Sequence, residues 1–305
     1  MNPSTTRQSF GQFDNQSEIG RVSRPGACVY EAEQQAYTIA GAGANIWGEQ
    51  DAFHFVWKRL QGNFIVTMRA AFIGAGLTPR RKIGWMVRTS LEANSAHVSS
   101  AIHGDGLAAL QFRRSAGGST DEVRTDLTGA DVIQLERNGN SYIMSVSRYG
   151  EPFQMVHANQ IDLGEAAYVG IFVCSHENDD MEQATFQDVR IVRPVSAGFE
   201  RGRDPFGSQL EILDVASGHR RTIYSAEHVF EAPNWTRDGK ALIFNRDGRL
   251  YRFDLAAGTP TQIDTGELVK NNNDHVLSFD GSRLAISSHG ETDWSSRVYT
   301  VPVQG

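Results

Sequence analysis

The chain is short of several things, and each shortage closes off a class of protein. It has only 2 cysteines, Cys28 and Cys174, so at most one disulfide can form and a disulfide-stapled scaffold is excluded. Cys174 stands in an apolar run and reads as a small core residue, which leaves the redox compartment open. No apolar stretch approaches the ~20 residues of a membrane-spanning helix. The nearest, Ala70 to Leu77, is interrupted by Gly74 and Gly76. Met1 to Ser17 is rich in Asn, Gln, Ser and Thr and shows no apolar stretch of the kind a secretory leader carries. Long Lys/Arg runs are missing and the net charge is -7, so nucleic acid is not the expected partner. The small clusters Arg80-Arg81-Lys82 and Arg220-Arg221 read as solvated loop charges. Helical periods are also scarce, with Ser90 to Ser95 the one place for a short helix.

Turns and short strands fill the space that helices leave. Hydrophobic residues make up 40% and charged residues 21%, an ordinary globular mixture that excludes disorder throughout. The 30 glycines punctuate period-2 and short apolar runs. The runs predict strands over Ala52 to Trp57, Asn63 to Ile73, Lys82 to Arg88, Ala96 to His103, Leu107 to Arg113, Asp131 to Arg137, Ser141 to Ser147, Ala167 to Cys174 and Ala184 to Val192. Asn138-Gly139 is a strong hairpin turn signal, because a type I′ turn needs positive φ at both central positions. Residues 19–193 thus predict a sandwich of two packed antiparallel sheets behind a polar tail at 1–18.

Residues 194–207 lack periodicity, contain Pro194, Gly198, Gly202, Pro205 and Gly207, and read as a linker. Beyond it, over 208–305, the chain repeats itself. Trp235, Asp238, Gly239, Leu242 and Phe244 are matched 42 residues later by Leu277, Asp280, Gly281, Leu284 and Ile286, each set a strand, an Asp-Gly turn and a strand. Leu210 to Asp214, Leu250 to Asp254 and Val298 to Pro302 supply further strands in step. A period near 40 with short strands is the mark of β-propeller blades. About two blades and the start of a third are present, where closed propellers have about four to eight. The expected fold is therefore all-β, a jelly-roll β-sandwich followed by an incomplete β-propeller. The further expectation is that the chain is part of a longer protein or completes its propeller by association.

The turns Trp235-Thr236-Arg237-Asp238-Gly239-Lys240 and Leu277-Ser278-Phe279-Asp280-Gly281-Ser282 resemble those of the TolB-like, WD40-like propeller family, although both lack that family's proline before the Asp. Phe64, Gly84 to Arg88, Gly170 to His176 and Phe186 to Ile191 resemble concanavalin-A-like (LamG-like) jelly-roll modules of bacterial proteins. The resemblance implies a periplasmic or secreted location, which the visible N-terminus does not itself signal. The jelly-roll superfamily holds sugar-binding modules, glycosidases and lyases, so fold alone does not settle chemistry.

Candidate chemistry is spread over both halves. Glu177, Asp179 and Glu182 have the Glu-x-Asp-x-x-Glu spacing of a jelly-roll glycosidase. The polar residues between them instead predict an acidic loop over Ser175 to Gln183. Glu177, Asp179, Asp180 and Glu182 are the weak candidates for Ca²⁺, the one cofactor considered. Gly104 to Ala109 matches a dinucleotide fingerprint formally, but it lies between two strands and reads as a turn. His97 and His103 share a strand face yet stand ~20 Å apart, too far to share a metal. No nucleophile elbow and no Cys-x-x-Cys pair occurs.

Trp47, Asp51, His54, Trp57, Arg88 and His97, with Gln111, mix flat apolar faces with hydrogen-bonding groups, as a sugar site does. The alternative for the aromatics, Trp85 and Phe64 above all, is core packing. In the second half Asn273, Asp274 and His275 precede a blade strand near the expected channel mouth. The oligogalacturonate lyases among related propellers use histidine-bound metal there, and only His275, or less plausibly His289, is available for that role. The leading expectation is a noncatalytic binding protein, its jelly-roll holding carbohydrate or envelope glycan and its blades forming an interaction platform. The alternatives are a carbohydrate-active lyase or hydrolase at the propeller channel, and a protein-interaction scaffold.

Overall fold

The computed structural model describes residues 9–204, 206–290 and 295–303. The first eight residues of the polar tail, and Pro205 of the expected linker, lie outside the described residues. Among the described residues only strands and turns occur, so the chain is all-β, and the short helix expected at Ser90 to Ser95 is instead a run of turns. Contacts divide the chain into two units, Met1–Val195 and Ser196–Gly305.

The first unit contains β1 (Asn15–Ile19), β2 (Ala27–Glu31), β3 (Ala36–Gly43), β4 (Asn45–Trp47), β5 (Gln50–Gln61), β6 (Phe64–Phe72), β7 (Lys82–Arg88), β8 (His97–His103), β9 (Leu107–Arg113), β10 (Asp121–Thr128), β11 (Val132–Asn138), β12 (Ser141–Ser147), β13 (Gln154–Ala158), β14 (Ala166–Cys174) and β15 (Glu177–Val192). They form two antiparallel sheets. One runs β1-β5-β14-β7-β8-β9-β10, with β4 paired to β5, and the other β13-β12-β11-β6-β15-β3-β2. Alternate residues of each sheet meet in a shared core. Ile83, Trp85 and Val87 of β7, Val98 of β8 and Leu110 of β9 belong to the same buried cluster as Val66, Met68, Leu135 and Met144 of the other sheet. Trp85 and Phe64 are core residues, 0% and 1% exposed. Burying side chains of this size contributes about 1.5–3 kcal/mol each.

The first sheet departs from the usual pattern, because its outer face is buried as well. Every residue of β7 and β8 is buried. A second apolar cluster explains this: Phe53, Phe55, Met86, Ala101, Phe172 and Cys174 pack on the outer face beneath Ile46 of the β4–β5 hairpin. Gly43 allows the chain to enter that hairpin. Its φ is 129°, and a Cβ there would stand 2.0 Å from the Ala52 carbonyl oxygen. No residue with a side chain fits.

Two local expectations are corrected. The β11–β12 loop is Gly139-Asn140 rather than Asn138-Gly139, since Asn138 pairs with Ser141. Gly139 alone in that loop has positive φ, 59°, at the first position, where a type II′ turn needs glycine. The acidic stretch is not a loop. Glu177 to Glu182 belong to β15, with the register against β3 shifting between Glu177 and Glu182. Pairing with a neighbouring strand supplies the order that the polar residues themselves do not.

The second unit contains β16 (Ser208–Leu213), β17 (Arg220–Ala226), β18 (Glu231–Trp235), β19 (Ala241–Arg246), β20 (Arg249–Asp254), β21 (Thr259–Gln262), β22 (Asn271–Leu277), β23 (Arg283–His289) and β24 (Ser296–Pro302). These make antiparallel sheets of two, four and three strands in chain order. The four-stranded sheet buries both faces. Phe244, Tyr251 and Phe253 cluster with Leu210 and Tyr224 of the two-stranded sheet, and Ile243 and Leu250 with Leu284, Ile286 and Val301 of the three-stranded one.

The repeated Asp-Gly turns owe their recurrence to hydrogen bonding. Asp238 accepts from the Thr236 hydroxyl (2.6 Å) and the Lys240 amide (3.1 Å). Asp280 accepts from the Ser278 hydroxyl (2.6 Å) and from the amide (3.0 Å) and hydroxyl (2.8 Å) of Ser282. Gly239 and Gly281 follow in the left-handed region, at φ 66° and 73°. Hydroxyl, carboxylate and glycine at fixed offsets thus close each turn.

The Ser278 and Ser282 hydrogen bonds hold the Asp280 carboxyl at about 2, below the usual 3.8. A lowered carboxylate value stabilises the fold above the unfolded value and loses that effect as pH falls. Asp280→Ala is therefore expected to lower the thermal midpoint of the chain at pH 7, with Asp280→Asn intermediate. The gap between wild type and Asp280→Ala should close as pH drops from about 4 to about 2, read by circular-dichroism melts.

Candidate functional site

Strand register places the polar residues of the first sheet in rows on its outer face. One row runs Arg88, His97, Arg113 across β7, β8 and β9. The next runs Met86, Ser99, Gln111, Glu122 and reaches β10. A third runs Gly84, Ala101, Ala109, Arg124, and a fourth pairs Lys82 with His103. The small residues of the third row lower the sheet surface between taller polar neighbours. Gly84 is obligatory there, since a Cβ would lie 1.9 Å from the Ser100 carbonyl oxygen.

The first row is sealed by an ionic network. Arg113 grips Asp51 with both terminal nitrogens, at 2.7 and 3.0 Å. Arg88 stands 3.5 Å from the same carboxylate. Arg113 also donates to the carbonyls of Gly48 (3.0 Å) and Ser95 (3.1 Å) and to the Thr120 hydroxyl (3.1 Å). Arg88 donates to the carbonyls of Ser90 and Glu92 at 2.7 and 2.6 Å. Both arginine side chains and the Asp51 side chain are fully shielded. Burial pushes the Asp51 carboxyl up, opposed by the hydrogen bond from Arg113 and the charge of Arg88. His97 lies against this network, and burial together with the two guanidiniums holds it well below the ordinary value, so it is neutral.

Beyond the sealed row the face opens into a cleft of about 330 Å³, lined by Trp47, Lys82, His103, Gln111, Glu122 and Arg124, with Asn45, Arg80, Asp105, Leu107 and His176 completing its wall. Its polar groups are only partly engaged. Gln111 donates to Glu122 (3.0 Å), while its carbonyl oxygen is buried without a partner. The His103 Nε2 is buried without a partner too, on a residue 8% exposed. Lys82 donates to the Asn45 side-chain oxygen (2.8 Å) and the Ile46 carbonyl (3.0 Å). Trp47, at 43% exposure, presents its indole at the rim. Although burial raises it, the hydrogen bonds from Gln111 and Arg124 hold Glu122 below the usual carboxylate range. Burial and the Lys82 charge lower His103 to about 4. At neutral pH the cleft thus offers a neutral imidazole, an amide, cations and a carboxylate around one aromatic wall.

The jelly-roll residues singled out by sequence separate into different places. Trp47 lines the cleft. Asp51, Arg88 and His97 come together, but in the sealed row, where they support the cleft and do not touch solvent. His54 is buried away from it, its Nδ1 2.8 Å from Glu18 and its Nε2 3.1 Å from Gln16. Trp57 donates to the Ser17 hydroxyl (3.0 Å) and stacks edge-on with Tyr168. Of the acidic set, Glu182 is buried in an ion pair with Arg81 (2.8 Å), while Glu177, Asp179 and Asp180 are exposed. Among the described residues no three His, Cys, Asp or Glu side chains form a group that could hold a metal ion.

In the second unit Asn273 and Asp274 are exposed on β22, and the buried His275 lies 3.1 Å through Nε2 from the Ile243 carbonyl. All three border an open hollow of about 340 Å³. A larger hollow of about 620 Å³ lies between the two Asp-Gly turns, where Thr236, Asp238 and Asp280 already bond within their turns. The first unit's cleft, with buried polar groups left over, is the stronger site. Sequence reading overlooked its Glu122 and Arg124, and took Lys82 with Arg80 and Arg81 for solvated loop charges, whereas Lys82 is buried at the start of β7 and Arg81 is buried in its ion pair with Glu182. The available signal was the alternation on β8 and β9, where Ser99, His103 and Gln111 interleave with core residues Val98, Ile102 and Leu110.

No family model matches the chain. An uncharacterized protein of Agrobacterium fabrum is 40% identical over 99 residues, 32% of this chain and 33% of its own. A solved structure of a candidate TolB from Agrobacterium tumefaciens is 38% identical, covering 33% of this chain and 36% of that one, with a TM-score of 0.32. A legume lectin-like domain from Entamoeba histolytica is 9% identical, covering 59% of this chain and 91% of that one, with a TM-score of 0.40. Over about a third of its length the chain is thus similar to a structure described as a candidate TolB, and it spans about a third of the length of the curated relative it matches.

Two outcomes test this geometry. Asp51→Ala leaves two buried guanidiniums without their carboxylate, and is expected to cost about 3–5 kcal/mol in urea unfolding. Pairing it with Arg88→Met and Arg113→Met should recover much of that loss. The second concerns acid. The folded chain keeps His103 neutral down to about 4, while the unfolded chain takes up the proton near 6.5. Stability is therefore lost as pH is lowered across that window, by up to about 1.4 kcal/mol per unit. His103→Gln is expected to flatten this dependence in urea titrations, and parallel curves would refute the assignment.

Proposed function

We propose that the jelly-roll unit is a noncatalytic carbohydrate-binding module whose site is the cleft on β7 to β10, and that the blade-like sheets serve as an interaction platform. One observation carries the reading: buried polar groups with unspent hydrogen-bonding capacity, Gln111 Oε1 and His103 Nε2, border a cleft walled by the half-exposed Trp47. Leaving such groups unpaired costs about 1–3 kcal/mol each, so a ligand that satisfies them gains correspondingly. A sugar suits this set. Its hydroxyls both donate and accept, matching carboxamide, imidazole, ammonium and carboxylate, while its apolar ring face suits the indole. In the second unit, Phe279 (97% exposed) and Val298 (76%) give the platform apolar contact surface.

A glycan array of neutral and acidic oligosaccharides, followed by calorimetry on the hits, tests the proposal. Trp47→Ala lies on an exposed hairpin tip and should leave the fold intact. It is expected to weaken binding by about 2 kcal/mol, roughly thirtyfold, as truncation of an aromatic anchor does. Failure of every saccharide to bind, or binding indifferent to Trp47, would sink the proposal.

A further inference from the structure

The cleft contains one charge that the protein leaves unanswered. Lys82 is 3% exposed, and both of its hydrogen-bond partners, the Asn45 side-chain oxygen and the Ile46 carbonyl, are neutral. No carboxylate lies within 4.0 Å of its ammonium among the described residues, whereas the buried arginines near it have one: Arg113 and Arg88 of this sheet share Asp51, and Arg81, just before β7, holds Glu182. Glu122, the acidic residue across the cleft, is already bonded to Arg124 and Gln111. A buried ammonium is expensive without a counter-charge, and its cost falls when an anion arrives.

We propose that the saccharide taken by this cleft is anionic, with a negatively charged oxygen seated on Lys82. The inference rests on the carbohydrate reading above and adds the charge of the ligand. Three features support it besides the missing counter-charge. The Lys82 ammonium is 6.0 Å from the centre of the Trp47 ring, so one sugar residue can meet both. Arg80 and Arg124 stand on the cleft wall with Lys82, against the carboxylates Asp105 and Glu122, so the lining carries a surplus of positive charge. The unpartnered His103 nitrogen lies in the same row as Lys82, directly across the β7–β8 pair. Burial lowers the Lys82 value, as expected for an ammonium held without a carboxylate. A uronic acid carboxylate and a sulfate ester share the required chemistry.

The test is calorimetric titration of the full chain with three probes: a galacturonate oligomer, its fully methyl-esterified form, and a sulfated oligosaccharide free of carboxylates. The acidic oligomer is expected to bind at least about tenfold more tightly than its neutral ester, the gain of one charge-assisted contact. Preference for the uronate over the sulfated probe assigns the carboxylate as the source of charge, and the reverse assigns the sulfate. Lys82→Met keeps the length of the side chain and removes its charge. It should erase the difference between acid and ester while leaving the thermal midpoint at or above the wild-type value. Equal binding of acid and ester by the wild type, sensitive to Trp47→Ala, overturns the anionic inference and leaves the carbohydrate reading standing. No binding of any probe, with a silent glycan array, overturns both. The acid-to-ester comparison needs only the wild-type protein, so the inference can fail even if Lys82→Met does not fold.

Discussion

The first unit depends on a single carboxylate. Asp51 is almost wholly buried, and it is the carboxylate shared by Arg113 and Arg88, which between them hold the carbonyls of Gly48, Ser90, Glu92 and Ser95. Those carbonyls belong to the β4–β5 turn and the loop between β7 and β8. The network therefore ties two irregular segments down onto a regular sheet. Its energy is conditional: a pair of arginines closed off from water is tolerable only while the carboxylate sits between them. That condition gives the outer face its roof, and it explains how this sheet is buried on both sides within the first unit.

The same roof determines where the cleft can be. Over β5, β14, Met86 of β7 and Ala101 of β8, Ile46 and its apolar neighbours cover the outer face. Toward β10 the cover ends, and Lys82, His103, Gln111, Glu122 and Arg124 line the open part of the face. Trp47, next to Ile46 in the hairpin, is carried to the rim by the packing of its neighbour. The site's aromatic wall and its floor thus follow from one event, the folding of the β4–β5 hairpin over the sheet.

Legibility in the sequence followed a physical rule. Strands β7, β9 and β12 lie within the bounds their apolar patterns predict, because a buried face writes itself into alternate residues. The Asp-Gly turns were legible as well, since Thr236 or Ser278, then the carboxylate, then glycine are all local partners. Strand β10, reading DEVRTDLT, was illegible. A charged edge strand is ordered by pairing with its neighbour, and charge on an edge also guards against unwanted pairing. That strand supplies Glu122 and Arg124, two of the five Asp, Glu, Lys and Arg residues that line the cleft, so these were hidden for the same reason. Glu177 to Glu182 were misread likewise, their strand order coming from β3 across the sheet.

By itself the sequence determined the class of fold, the repeat in the second unit and the turns that punctuate both, because each rests on residues near one another along the chain. It also supplied aromatic, amide, imidazole and charged side chains of the kinds the proposed site uses. Tertiary structure alone decided which of them meet. Asp51 and Arg113 lie 62 positions apart, as do no two residues a local pattern could join, and Lys82 meets Asn45 across 37. Only the closed sandwich brings these distant groups together. Only its burial turns Asp51 into a structural anchor, His103 into a neutral imidazole and Lys82 into a charge awaiting its partner.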